Sequence, residues 1–144
     1  MSEDANRSRK RAAFLFAIFS LFCACKASDN SVRDDTFKHF MASLDYSVHA
    51  TKLAQTQFSS FQDDRFVKST DFRRKALEEA RKVNVDELNR WYSGLGDHFR
   101  DEFIRGTELM IAGYDRQNLG MCEQASLVIN KWGTWYIANR NNIR

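Results

Sequence analysis

The chain has 144 residues, 22 Lys+Arg against 19 Asp+Glu for a net charge of +3, 43% hydrophobic residues, three Cys and no Pro. So few cysteines, with no C-x-x-C pair, exclude a disulfide scaffold and a zinc or haem motif. The length admits one domain with its own core, and a lack of Pro with only six Gly favours long helices. The basic excess lies mainly in residues 1–24, which carry four basic and two acidic side chains; the remainder is net +1. No nucleic-acid partner is expected from that balance.

Residues 1–24 read as a signal peptide. Arg7, Arg9, Lys10 and Arg11 precede an uncharged run from Ala12 to Ala24, which ends in small residues. Ala12 to Cys25 gives about 21 Å of helix, short against a hydrocarbon core ~30 Å thick. Leu21-Phe22-Cys23-Ala24-Cys25 resembles the lipobox of bacterial lipoproteins: Leu, a small residue, then Gly, Ala or Ser, then the Cys that takes the lipid. Leu21 sits one position early, and Phe22 holds the Leu slot. The resemblance implies lipidation at Cys25, and Lys26 in place of Asp implies the outer membrane. Ordinary cleavage after Ala24 or Ala27, giving a soluble periplasmic protein, and an uncleaved signal anchor are the alternatives.

Residues 25–144 then form one helical domain, with 25–30 as a tether. The first helix is expected from Ser31 to Phe61, opened by a capping box of Ser31 and Asp34. Its apolar seam passes Phe37, Phe40, Met41, Leu44 and Val48, then Ala50, Leu53, Ala54, Phe58 and Phe61. Gln62-Asp63-Asp64-Arg65 reads as a turn. The second helix should begin near Ser69 or Thr70 and carry Phe72, Ala76, Leu77 and Ala80; its basic cluster Arg73-Arg74-Lys75 is interleaved with acids and lacks a groove-forming motif. Asn84 and Glu87 look like a further capping pair. Ser93-Gly94-Leu95-Gly96 breaks the chain, and Asp97 is expected to cap the next helix. There Phe99, Phe103, Met110 and Tyr114 share a stripe with Gly106 and Gly113. Two glycines on one face point to a closely crossing helix, or to a hinge. Asn118-Leu119-Gly120 is the last turn, and the final helix runs from about Met121 to Ala138. The expected fold is all-α, an antiparallel bundle of about four helices.

No residues suggest catalysis. Asp35/His39 and Asp45/His49 are i,i+4 pairs, but a tight metal site needs three or four ligands. No H-E-x-x-H, G-x-S-x-G or dinucleotide loop occurs, so no enzyme activity, metal or cofactor is expected. Cys122 is expected to be buried, or else paired between molecules. Trp132, Trp135 and Tyr136 are denser than one seam needs; Trp135 falls off it and is the ring expected to face outward as a partner anchor, with Trp132 and Tyr136 beside it. The function expected is an exported interaction protein of the bacterial envelope, of accessory, exclusion or immunity type. Its partner would be another envelope protein, and its contact with the membrane the lipid at Cys25. A helical carrier of an apolar ligand is the alternative, and a cell-envelope enzyme a third.

Overall fold

The computed structural model describes residues 31–55 and 58–143, all α-helix, short π or 3-10 turns and their connections, with no strand among them. The signal segment, the tether and Cys25 lie outside the described residues. The helices are α1 (Ser31–Ala54), α2 (Asp64–Ala80), α3 (Val85–Trp91), α4 (Leu95–His98), α5 (Arg105–Asp115) and α6 (Leu119–Asn139). A π segment, Phe99–Ile104, joins α4 to α5 in one continuous rod, and a 3-10 turn, Arg140–Asn142, follows α6. No helix of the described residues is long and apolar enough to cross a membrane.

Side-chain pairs give the topology. On α1 and α2, His39 Nδ1 meets Glu79 Oε2 at 2.6 Å, and the Ser69 hydroxyl donates to the Ala50 carbonyl at 2.8 Å, so the two run antiparallel. Arg81 to Glu108, and Arg74 to Asp115, pair α2 with α5 in the same sense. Gly106 against Ile129 and Gly113 against Cys122 make α5 antiparallel to α6. The result is an up-down-up-down bundle in which short α3 is spliced between the second and third rods. The expected all-α bundle is therefore found, with one extra short helix.

The helix ends differ from expectation for physical reasons. α1 stops at Ala54, not Phe61. Phe58 and Phe61 belong to the connection, where Phe58 packs on both Phe61 and Phe66, and Phe61 on Tyr114. α2 begins at Asp64, six residues earlier than Thr70, because Asp63 is its N-cap: its carboxylate accepts from the Arg65 backbone N–H at 2.9 Å. Arg65 and Ser59 also donate to it and hold that carboxyl well below the usual carboxylate range. Ser69 and Thr70 need not cap anything. Both are buried, and Thr70 donates to the Phe66 carbonyl one turn back.

Asn84 does cap α3, accepting from the Glu87 N–H at 3.1 Å. Glu87, expected to reach back, instead accepts from Trp91 Nε1 and Arg90. The rod from Leu95 is not capped by Asp97; Asn89 Oδ1 accepts from the Gly96 N–H at 2.8 Å. Asn118 caps α6, accepting from the Met121 N–H.

The main core joins both hairpins. Phe40 on α1 is its hub, edge-on to Phe99 at 5.1 Å and to Trp132 at 6.3 Å. Leu44, Leu88, Leu95, Phe103 and Tyr136 close around it. A second, smaller cluster of Met110, Cys122 and Ala125 lies between α5 and α6. The two glycines of α5 lie between these helices: a Cβ on Gly106 would fall 2.7 Å from Ile129 Cγ1, and one on Gly113 2.7 Å from Cys122 Sγ. Close crossing, rather than a hinge, explains them.

Candidate partner-binding surface

α6 carries the three aromatic residues singled out by sequence. Trp132 is 4% exposed and Tyr136 5%, both packed in the main core. Neither offers accessible surface, so the expectation of a three-ring patch reduces to Trp135. That ring is half-buried on the rim of the core. It does not pack against Phe58 and Phe61, which sit at the other end of α5 against Tyr114.

Trp135 is held by a built surround. The His98 imidazole stacks on it at 4.2 Å between centroids, with 23° between planes. Tyr92 leans on it at 5.9 Å, and Trp132 stacks behind at 6.1 Å. Gly94, at φ +84°, turns the chain beneath His98 and Trp135; a Cβ there would touch both rings at 3.7 and 3.9 Å. The left-handed conformation is what makes glycine the suitable residue at that turn. Asn139 fixes the back of the site: its amide donates to the Trp135 carbonyl at 2.8 Å and its Oδ1 accepts from the Tyr92 hydroxyl at 2.9 Å.

His98 has a charged neighbour. Glu102 Oε2 lies 3.1 Å from His98 Nδ1, within ion-pair distance but off the line of a hydrogen bond, and this oxygen is buried. His98 immediately precedes the π segment and Glu102 lies within it, a wide turn that proteins often place at functional sites. The arrangement is an indole flanked by an imidazole with a carboxylate beside it. The surface this offers is apolar area with a polar edge. The sequence did not bring His98, Tyr92, Gly94 and Asn139 together around Trp135. The Gly94-Leu95-Gly96 break next to His98 was the available signal for a turn at the rim.

The other candidate ligands separate. Asp35 does not hold His39, which crosses to Glu79 instead. His49 is 3.7 Å from Asp45 and stacks on Phe72. Among the described residues no group of three or more His, Cys, Asp or Glu could hold a metal ion. Cys122 is a free, buried thiol in the first turns of α6, and burial pushes its pKa up. Comparison with protein-family models, with curated proteins and with solved structures finds no match for this chain.

Proposed function

We propose that this protein is an exported helical interaction module of the bacterial envelope, held by a lipid at Cys25 or free in the periplasm. It captures another envelope protein through the surface centred on Trp135. The export part rests on the order of basic, apolar and small residues over residues 7–27. The recognition part rests on one observation: Trp135 keeps an accessible indole in a socket of His98, Tyr92 and Gly94. A tryptophan whose position is fixed before binding loses little side-chain freedom when a partner covers it.

Capture of partners by the full-length protein from its own envelope tests this reading. Trp135→Ala should weaken capture about 30-fold, the equivalent of a ~2 kcal/mol hot spot, while the melting temperature stays within a few degrees. Cys25→Ser should release the protein from the membrane fraction if the lipid is its tether. Undiminished capture by the Trp135 variant would remove this surface from the function.

A further inference from the structure

The unusual side chain of the bundle is Arg73. Arg65, Arg74, Arg81, Arg90 and Arg100 all keep about half or more of their side-chain surface in solvent, and each has a carboxylate partner. Arg73 has neither. It lies on the buried seam of α2, between Ser69 and Leu77, at 6% exposure. Its Nε and Nη1 are buried with no hydrogen-bond partner among the described residues. A guanidinium cannot escape by losing its proton, and a buried ion without a partner is strongly destabilising.

The groups facing it supply no countercharge. They are the Tyr114 phenol on α5 and the Cys122 thiol on α6. Burial pushes both toward their neutral forms. Of the acids on the facing helices, Asp115 is engaged by Arg74 and Glu108 by Arg81, and Glu123, beside Cys122, is exposed to solvent. Two further features favour a negative visitor. Cys122 stands near the N-terminus of α6, a 21-residue helix whose dipole attracts anions at that end. Apolar rings continue from the site, since Tyr114 packs on Phe61 and Phe66, and Phe66 on the exposed Phe58.

We propose that Arg73 is the receptor for a bound oxyanion, entering either as a free inorganic anion or as the carboxylate head of an apolar acid whose tail lies along Phe58, Phe61 and Phe66. This site is independent of Trp135, at the opposite end of the α5–α6 pair.

Thermal melts of the full-length protein test it, in chloride alone and with phosphate, acetate or sub-micellar octanoate at matched ionic strength. The wild type should gain about 5 °C or more in at least one of the three. Arg73→Met should melt at or above the wild type in chloride, because it removes an unpaired buried charge, and should not respond to the anions. Arg74→Met, which changes an exposed neighbour, should respond like the wild type. A response to phosphate and acetate identifies a free anion; a response to octanoate alone identifies an apolar acid. Should Arg73→Met fail to fold, the wild type together with Arg73→Lys decides: a wild-type gain that lysine weakens supports the site. No wild-type gain over chloride in any anion, or an equal gain in the Arg73 variant, overturns it.

Discussion

Replacing Gly113 by alanine gives a sharp test of the α5–α6 crossing. In an ordinary helix the change should stabilise by about 1 kcal/mol, since alanine has the higher helix propensity. Here the new Cβ would lie 2.7 Å from Cys122 Sγ, 3.0 Å from the Cys122 backbone nitrogen and 3.2 Å from Met121 Cβ. The sulfur is on a short side chain, and the nitrogen belongs to a helix capped and packed over 21 residues. Neither can yield without moving α6. Overpacking of this kind costs about 1–3 kcal/mol, and the upper end applies where backbone must shift. The net expectation is a loss of about 1–2 kcal/mol. Urea unfolding followed by circular dichroism measures it. Cys122→Ala removes the closest clash, so the double variant should recover about 1 kcal/mol relative to the sum of the single changes. At Gly106 the closest atom is Ile129 Cγ1 at 2.7 Å, on a β-branched side chain stiff at χ1, with backbone at 3.2 Å. Its alanine variant should therefore be destabilising as well. A stabilising Gly113→Ala, or an additive double variant, would refute the close-crossing account.

Phe103→Ala should cost about 3–5 kcal/mol in the same urea assay, because the ring is 1% exposed and stacks on Phe99 at 4.9 Å; a loss below about 1 kcal/mol would take Phe103 out of the core. Glu79 supplies the pH test. Lys82 first and His39 second hold its carboxyl below the ordinary 4.5, so the unfolded chain takes up the proton before the folded one does. Its contribution is complete above about 4.5 and is lost as pH falls through the lower folded value. The stability difference between wild type and Glu79→Gln, measured by urea unfolding, should shrink as pH falls from about 5 toward about 3; a difference independent of pH over that range would refute the assignment.

Much of the helical layout was legible because burial of one face imposes a 3.6-residue period. The seams through Phe40, Leu44 and Val48, and through Phe99, Phe103 and Met110, lie inside the protein as read. The Asn84 cap also forms as read, and the glycine seam of α5 faces α6. What failed was phase and termini. Phe72 was placed on the seam of α2 and Arg73 was not, whereas Arg73 is buried and Phe72 lies at the edge, stacked on His49. Hydrophobicity misleads when a charged residue occupies a seam, and no local pattern announces that exception. Asp63 looked like a turn residue because a cap and a turn use the same chemistry. The socket around Trp135 was only partly legible. The off-seam tryptophan could be seen, but the π segment leaves no mark in composition, and the meeting of Tyr92, His98 and Asn139 depends on three different elements.

The wide turn at Phe99–Ile104 sets a reading frame for the rod that contains it. An α-helix advances ~100° per residue, and a π turn accommodates one residue more than an α turn before the chain comes round again. Loss of one codon within this stretch would therefore act as a rotation rather than a truncation. The rod could close to ordinary pitch and stay helical from Leu95 to Asp115. Its two halves, however, would be turned by about 100° relative to each other. With Gly106 and Gly113 still facing α6, His98 would swing away from Trp135; with His98 kept in place, the glycines would leave the crossing. The surplus residue thus ties the two contacts together, since a rod without it keeps either the socket or the seam but not both.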